Sequence, residues 1–596
     1  MDVTIHTARA HRLFAPMAQR LGELNARCEN VLVLVPEQFT LAAERALMDA
    51  LKLEGMFYLQ VLSPSRLAER VLDLAGRDDR QPLDDAGRRM ALSQAAEMVG
   101  DSLTYYASIA QKRGFVERMS ALITDMKRGG LEPEALLAHA QKQEGAAQEK
   151  LSDLACLYAA YRTVLGERFC DSEDQLDYVA ARLERSGLLT ERHLFVYGFD
   201  TLPQQLMRLL CAAAPLAHSL SIWLTCDGEE ANDGELYLPI RQGVSRFCDM
   251  LRSRGMAVRV QALPRRPLRH APAIDHLDAA LLGRVAEPKE AAGVYLSSSL
   301  SPFEEATRMT RQVMALQKQG EALERIAVMY PESGGYAFAV AAALADSGLP
   351  YYTDEKLPAT SHGLARFLLC ALRAMAQGYS NRDVLPLLKS GYAPLSFEEA
   401  CELEIYARSY GIDRARWLSP FTRGPQEECA RMEPLRQRLI ASLETAHAAL
   451  RAARTSRDSC AAVFSLLQAV GAYDALRLEE ETLLANGLQI RANQNCQIWQ
   501  ALLSLLDQLA RLGGPSRIPL RHIAHRLECG LSAISLASLP PGADMLHAGA
   551  LGHMLPDAAD YVFLLGLNDG LLSDEGDSLL TAQEREEAQA DTGCFL

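Results

Sequence analysis

The N-terminal segment lacks the residues of a nucleotide-phosphate loop. Val3 to Thr7 is a predicted strand followed by a helix, which is where a phosphate-binding loop lies in nucleotide-binding α/β folds. The sequence has no glycine before Gly22 and no lysine before Lys52. Glycines allow close backbone approach and a lysine binds the β- and γ-phosphates, so this segment cannot perform Walker A chemistry.

Metal-binding cysteine pairs and long apolar runs are also missing. The 13 cysteines include no CxxC pair, so neither zinc nor an iron–sulfur cluster has a ligand set, and scattered thiols fit a reducing compartment. No uncharged apolar stretch approaches the ~20 residues of a membrane helix, and the N-terminus has no apolar signal region. We therefore expect a cytoplasmic protein that does not contact membranes and holds no metal.

Excess positive charge is absent too. The formal net charge of -15 argues against a protein that coats duplex DNA through its overall field, although a basic channel inside an acidic protein stays possible. With 49% hydrophobic and 23% charged residues, the composition is that of an ordinary globular protein. Its 596 residues predict roughly three to five domains.

The stretch Asn30 to Thr40 (NVLVLVPEQFT) carries the clearest structural signal. Val31 to Val35 is an unbroken apolar run, which predicts a strand buried on both faces of a parallel sheet. The residues after Pro36 then lie at the carboxyl end of a central strand, where open α/β sheets bind ligands. Gln38 and Thr40, with an aromatic between them, suit a single strand of nucleic acid. An ordinary strand-to-helix turn is the alternative.

Two later loops follow predicted strands in the same way. After a strand from Phe57 to Leu62, the sequence SPSRLAERVL begins a helix, where Arg66 is unfavourable for the helix dipole and needs an anionic or polar partner. A phosphate or base edge and a neighbouring carboxylate are both candidates. Further on, LFVYGFD ends in Phe199 and Asp200 at the place of a Walker B strand, but no glutamate follows closely, which does not support ATP hydrolysis.

The remaining chain alternates between helical and α/β patterns. Residues from Gln81 to about Leu189 are almost entirely helical by periodicity, and so are those from about Gly363 to Ala533. A second α/β block is predicted to begin with a strand at Val294, and Tyr561 to Leu565 is predicted to be a buried strand. A tight turn follows it, in which glycines would let the backbone approach a ligand. The residues of this turn are Gly566, Asn568, Asp569 and Gly570.

Two clusters have competing interpretations. His522 and His525 fall one turn apart, but without a third ligand nearby we interpret them as a helix face and not a metal site. The most basic short patch has prolines around it, so it is either a solvated linker or a phosphate contact. The patch consists of Arg265, Arg266, Arg269 and His270.

The chain thus has two α/β blocks, each interrupted by a helical region. This order resembles the architecture of superfamily 1 DNA helicases. More closely, the chain resembles the B subunit of the AddAB (RexAB) helicase-nuclease, which processes double-strand DNA ends for recombinational repair. The resemblance is carried in order by VLVLVPEQFT, VLSPSRLAERVL, QPLDDAGRRMAL, LFVYGFDTLPQQL, SGLPYYTD and YVFLLGLNDGLL. It implies an α/β fold of two RecA-like parallel-sheet domains, each with a large helical insertion.

The implied domain boundaries follow from this order. Expected are a first RecA-like domain at 1–78 and 191–292 with a 1B-like helical insertion at 79–190, and a second at 293–362 and 536–596 with a 2B-like insertion at 363–535. The family's C-terminal nuclease domain, with its iron–sulfur cluster and nuclease metal, would follow residue 596, so the chain is expected to be C-terminally truncated.

The family implies a function that the residues alone do not show. In that family, AddB-type proteins bind the emerging single strand and scan it for the Chi hotspot, while an AddA/RexA-like partner carries ATP and Mg²⁺ and drives unwinding. The expected partners are therefore an AddA/RexA-like protein and single-stranded or duplex-end DNA, with no catalytic residue and no cofactor in this chain. The alternatives are an active superfamily 1 helicase and a structural subunit without DNA contact.

The family's strand-contacting positions fall on loops already singled out. By resemblance, single-stranded DNA would contact Gln38, Thr40, Arg66 and Phe199. Glu69 stands where relatives commonly have a tryptophan, so a stacking contact there is not supported.

Overall fold

The fold was analysed in a computed structural model. It describes residues 2–9, 12–77, 80–226, 236–264, 272–281, 287–288, 290–353, 356–536, 544–552, 554, 559–572 and 578–594. The basic patch at residues 265–270 therefore lies outside the described residues.

The strands are numbered in chain order. They are β1 (Asp2–Ala8), β2 (Asn30–Leu34), β3 (Leu59–Leu62), β4 (Gln81–Leu83), β5 (Phe169–Asp171), β6 (Arg192–Tyr197), β7 (Ser219–Thr225), β8 (Val258–Ala262), β9 (Ile326–Tyr330), β10 (Tyr351–Thr353), β11 (Leu357–Pro358), β12 (Ser535–Leu536), β13 (Leu546–Ala550) and β14 (Tyr561–Leu564).

The helices are numbered in the same way. They are α1 (Phe14–Ala26), α2 (Thr40–Leu51), α3 (Pro64–Ala75), α4 (Asp85–Val99), α5 (Arg113–Gly129), α6 (Pro133–Ala140), α7 (Gly145–Leu165), α8 (Gln175–Ala180), α9 (Leu183–Ser186), α10 (Gln204–Ala213), α11 (Leu238–Ser253), α12 (Pro272–Leu281), α13 (Pro302–Lys318), α14 (Tyr336–Ser347), α15 (Gly363–Gln377), α16 (Asn381–Leu388), α17 (Phe397–Ser409), α18 (Gln426–Ala452), α19 (Ser456–Ala469), α20 (Ala472–Ala485), α21 (Gln489–Leu512), α22 (Leu520–Ser532) and α23 (Ala582–Thr592).

The first sheet is parallel and has the strand order β3-β2-β6-β7-β1-β8. In β2, Leu32 and Leu34 pack into the hydrophobic cluster on one face, and Val31 and Val33 pack into the cluster on the other. All four side chains are buried. The prediction of a strand covered on both faces is confirmed, and the apolar run exists because helices cover both sides of the sheet.

The second sheet is also parallel, with the order β10-β13-β9-β14. Its central strand β9 is buried throughout, but the edge strand β14 is not. Val562 and Leu564 on β14 are 47% and 46% exposed. The prediction of a buried strand here is wrong. Within the described residues β14 is an edge strand that pairs with β9 alone, and its alternate side chains Val562 and Leu564 face outward.

A strand is likewise absent where one was predicted to begin, at Val294. Residues 294–299 form no strand, and Tyr295 and Leu296 are 91% and 97% exposed. A short apolar run has the propensity for a strand, but it needs a partner to receive its hydrogen bonds. No described strand pairs with it, so the prediction is wrong for these residues.

Helical insertions interrupt both sheets. One lies between β3 and β6, and the other lies between β10 and β13. The chain is therefore α/β, with two RecA-like parallel-sheet domains that each carry a large helical insertion. Within the first insertion, β4 and β5 pair in parallel, a short element that helical periodicity did not predict.

The two insertions share one hydrophobic core. A single cluster of buried residues runs from Leu83 to Phe169 and continues through residues 359 to 536. Polar contacts cross the same boundary: Arg526 Nη2 lies 2.5 Å from Glu97 Oε2, and Arg89 Nη1 donates to Ser532 Oγ at 2.9 Å. The helical regions that interrupt two separate sheets thus form one packed body.

Helix α23 packs against the first insertion. The ammonium of Lys150 lies 2.7 Å from the Glu584 carboxylate, and His139 Nδ1 is 2.9 Å from Asp591 Oδ2. In the described part of the chain, no helix by itself has the length and apolarity to cross a membrane. One pair, α19 and α20, meets that standard only when combined across a 50° bend.

Candidate nucleic-acid interface

The loop after β2 is a short 3-10 turn between a proline and a helix. Pro36, with φ of -55° and ψ of 154°, ends the strand, and Glu37 to Phe39 form the turn before α2 begins at Thr40. Proline has no amide hydrogen to donate, so the sheet's hydrogen-bond ladder stops there. This loop lies at the carboxyl edge of the first sheet, as predicted. The side chain of Gln38 lies outside the described residues.

Thr40 is part of the loop's internal structure. Its side chain is only 7% exposed, and its hydroxyl donates to the Glu37 carbonyl at 3.0 Å. This bond caps the turn at the point where α2 begins. Thr40 therefore stabilises the loop through this internal hydrogen bond and does not present its hydroxyl at the surface.

Glu37 joins this loop to the one after β3. Its Oε1 accepts a hydrogen bond from the Ser65 backbone amide at 2.8 Å and a second, short one from the Ser65 hydroxyl. Ser65 is in the first turn of α3, where unpaired amides favour a carboxylate. The sequence held no sign that the acceptor for Ser65 is Glu37, 28 residues earlier.

Arg66 is exposed at the start of α3. The Ser63 side chain caps this helix by accepting from the Arg66 amide at 3.3 Å, and Pro64 occupies the first helical position. Within the described residues, the Arg66 guanidinium has no hydrogen-bond or ion-pair partner, so the carboxylate that the sequence allowed as a partner is not found there. Glu69, on the same helix, is also exposed.

The turn after β6 comes against the same loop. Gly198 has a φ of +81°, and a Cβ on it would lie 3.4 Å from Pro36 Cδ. A larger residue would be strained in this left-handed conformation. Phe199 follows, half-buried against the hydrophobic cluster of the sheet, while Asp200 is exposed. Loops after three neighbouring strands therefore converge at one edge.

A stacked pair lies inside the sheet beside these loops. The rings of His6 on β1 and Trp223 on β7 are 3.9 Å apart with an interplanar angle of 19°. Burial lowers the pKa of His6 to about 4, so the imidazole is neutral near pH 7. Sequence reasoning missed this pair, because only the pairing of β1 with β7 makes the two residues neighbours.

The predicted turn after β14 is built around Glu305. The Gly566 amide donates to Glu305 Oε1 at 3.0 Å, and the Tyr336 hydroxyl donates to Glu305 Oε2 at 2.7 Å. Burial and this bond raise the pKa of Tyr336 to about 12. Asn568 Nδ2 lies 3.4 Å from the same hydroxyl.

Gly566 and Gly570 in this turn have φ values of +68° and +77°. A Cβ on Gly566 would lie 2.8 Å from the Tyr336 ring and 2.9 Å from Pro331, so glycine is required there. Asp569 belongs to the same turn. The turn thus follows a strand end at the carboxyl edge of the second sheet.

Residues 7–278 match the family described as ADDB, N-terminal. This part of the chain is therefore similar to the N-terminal region of AddB proteins. Curated proteins that carry the name of the B subunit of an ATP-dependent helicase/deoxyribonuclease are similar along most of its length. The protein of Heliobacterium modesticaldum is 27% identical over 95% of this chain, and that of Moorella thermoacetica is 28% identical over 94%. That of Geobacillus kaustophilus is 27% identical over 94%. The resemblance inferred from the ordered motifs is confirmed.

The similarity covers only part of those relatives. The chain spans about half of their length: 49%, 51% and 51% of the three proteins respectively. The AddB match at residues 7–278 contains all three converging loops and the whole first insertion. The second sheet and the turn at Gly566 lie beyond it, within the longer similarity to the curated relatives.

Proposed function

We propose that this chain is the DNA-binding, helicase-like subunit of a helicase-nuclease that processes double-strand breaks for recombinational repair. In this proposal it works in the cytoplasm with an AddA/RexA-like partner and receives single-stranded DNA from a duplex end. The similarity of residues 7–278 to the N-terminal region of AddB supports the assignment, as do the similar proteins named as the B subunit of a helicase/deoxyribonuclease.

The single strand would cross the carboxyl edge of the first sheet. The observation that carries this proposal is Arg66: an exposed cation at a helix start, without a described partner, beside a loop fixed by the bond between Glu37 and Ser65. A guanidinium near a helix N-terminus is unfavourable by itself and favourable once a phosphate or base edge approaches.

The neighbouring residues take complementary roles in this proposal. Phe199 offers a ring on which a base can stack, and Gln38 supplies a side-chain amide for hydrogen bonding. Thr40 acts through the loop that it braces. The turn at Gly566, Asn568, Asp569 and Gly570 would bring backbone close to the strand at the second sheet, and scanning for Chi would use these same surfaces.

The chain would bind DNA without hydrolysing ATP. The first loop lacks the glycines and the lysine of a Walker A motif, and Asp200 has no glutamate beside it. ATP and Mg²⁺ would therefore be bound by the partner. The domain division proposed with this function is 1–78 and 191–292 with an insertion at 79–190, then 293–362 and 536–596 with an insertion at 363–535.

The proposal is tested by measuring single-strand binding of the purified chain with Arg66→Ala. The matched control is Arg27→Ala. Arg27 is also exposed, but α1 carries it to the opposite edge of the same sheet, just before β2 begins. Arg66→Ala should weaken binding and reduce the salt slope of the association constant by about 0.7, the value for one phosphate contact on a single strand.

Phe199→Ala adds a second measurement, since losing one base stack costs about 1–3 kcal/mol. Equal behaviour of Arg66→Ala and Arg27→Ala would contradict the proposed interface. Robust ATP turnover by the isolated chain would favour an active helicase instead. Failure to bind any oligonucleotide, even beside the partner, would favour a structural subunit.

A further inference from the structure

A cavity of about 280 Å³ lies where the two helical insertions meet. The loop before α5 forms one wall, and helices α15, α16 and α22 form the others. The charged residues that matter most here are Lys112, Arg113, Arg373, Arg382, Asp383 and Glu528. This cavity is separate from the edge of the first sheet, and none of its lining residues belongs to the loops after β2, β3, β6 or β14.

The cavity is cationic in a chain whose net charge is -15. Four of its residues are lysine or arginine, and two are carboxylates. Arg113 is partly neutralised, since it lies 3.7 Å from Glu528 Oε1. Lys112 and Arg382 are exposed, and within the described residues their charged groups form no hydrogen bond or ion pair. A local excess of positive charge attracts an anion despite the acidic overall field.

Asp383 gives the cavity a second, different feature. Its side chain is 3% exposed, and its Oδ2 has no hydrogen-bond partner in the described part of the chain. Burial raises the pKa of Asp383, although Arg373 and Arg382 act in the opposite direction. A buried carboxylate oxygen without a donor is costly, which favours a ligand that supplies an N–H group at this point.

An anion with an adjacent N–H donor fits this combination. Among the described residues, no group of His, Cys, Asp and Glu side chains is arranged to hold a metal ion, and the surrounding cations would repel one. A nucleotide unit has both required parts: a phosphate that arginine and lysine bind, and a base amino group that a carboxylate accepts, as in the pairing of Asp with cytosine N4.

We propose that this cavity binds one nucleotide of a single-stranded nucleic acid. Lys112, Arg373 and Arg382 hold its phosphate, and the amino group of its base donates to Asp383. Cytosine is favoured over thymine, because the thymine edge places carbonyl oxygens where the carboxylate would lie. The two insertions build the site together, so a strand bound there contacts both helical regions.

The phosphate contact is tested in the full-length chain with Arg373→Gln/Arg382→Gln. The control is Arg451→Gln/Arg457→Gln, which removes the same two charges from exposed positions away from the cavity on the second insertion. Binding of fluorescent dC20 is measured by anisotropy across a salt series. The cavity variant should bind about tenfold more weakly and lose about 0.7 of salt slope per arginine, whereas the control should match the wild type.

The base contact is tested with Asp383→Asn, which keeps the shape of the side chain and removes its charge. The wild type should bind dC20 several-fold more tightly than dT20, and Asp383→Asn should remove that preference. Thermal unfolding of each variant verifies folding. Equal binding of dC20 and dT20 by the wild type would overturn the role of Asp383, and equal losses in the cavity and control variants would overturn the site.

This inference and the proposed function fail separately. If Arg66→Ala weakens binding and the cavity variant does not, the cavity is not a nucleotide site, but the sheet edge remains one. The reverse result would remove the sheet edge and keep the cavity. Inorganic phosphate and free dCMP serve as competitors: displacement of dC20 by dCMP at far lower concentration than by phosphate supports recognition of a nucleotide.

Discussion

The Glu37 carboxylate accepts hydrogen bonds from both the backbone amide and the hydroxyl of Ser65. These residues leave adjacent parallel strands, β2 and β3, so one side chain fixes two loops at the edge of the sheet. Ser65 precedes Arg66, and Glu37 precedes Gln38. The bond thus sets the relative position of the two residues that the proposed single-strand interface depends on most.

Glu37→Ala should weaken single-strand binding several-fold with little loss of stability. Both partners are exposed, so removing the pair should lower the free energy of unfolding by about 1 kcal/mol or less. Without the bond, the two loops would be less ordered in the free protein. The free-energy cost of ordering them would then reduce the affinity for DNA. Oligonucleotide titration and urea denaturation measure the two effects. The control Glu54→Ala, at an exposed position before β3, should change neither, and unchanged DNA affinity in Glu37→Ala would refute the linkage.

Asp171→Asn should destabilise the chain by about 3 kcal/mol. Asp171 is fully buried and accepts from the Tyr161 hydroxyl at 2.6 Å and from the Lys127 ammonium at 3.1 Å. The asparagine of this variant would be a neutral acceptor for the buried Lys127 ammonium and Tyr161 hydroxyl. Among the described residues, Lys127 would keep only the Asp174 carboxylate, 2.6 Å away. Chemical denaturation measures the loss, and the exposed Asp101→Asn is the control.

The same residue predicts the acid dependence of stability. Burial by itself would raise the pKa of Asp171, but Lys127, Arg88 and the bond from Tyr161 outweigh it and hold the pKa below its ordinary 3.8. A carboxyl group whose pKa is lowered on folding stabilises the folded state at pH values above its ordinary pKa. This contribution is lost as the pH falls through the pKa of the folded state. The wild type should therefore lose stability below about pH 4 more steeply than Asp171→Asn, and parallel curves would contradict this.

Mg-ATP should neither be hydrolysed by the isolated chain nor raise its melting temperature. The opening loop has no glycine and no lysine to hold phosphates. A nucleotide present at 100 times its dissociation constant would add about 2.7 kcal/mol to the free energy of unfolding. Thermal shift and phosphate release measure both effects, and a stabilisation of that size would show that a triphosphate binds.

Local patterns predicted the parts of the fold that depend on short-range physics. The VLVLV run predicted β2 because a strand covered on both faces must be apolar at every position. The same reasoning failed at Val294 and on β14, where propensity for a strand is present but a pairing neighbour or covering layer is not found in the described residues. Propensity states what a segment can form, and its neighbours determine whether it does.

The candidate site was predicted only in outline. Strand ends placed Gln38, Arg66 and Phe199 at one edge, since the carboxyl ends of parallel strands meet there. Nothing in the sequence indicated that Thr40 points inward or that Glu37 is the acceptor for Ser65. Those outcomes depend on side-chain directions set by the register between β2 and β3.

By itself the sequence determined that this is an α/β protein of two sheets interrupted by helices, related to AddB and without the glycines and lysine of a phosphate loop. Periodicity and the presence or absence of residue types are local properties. Only the tertiary structure decided that the two insertions share a core and enclose a cationic cavity around Asp383. Such contacts join residues hundreds of positions apart, and they exist only when packing brings the helices together.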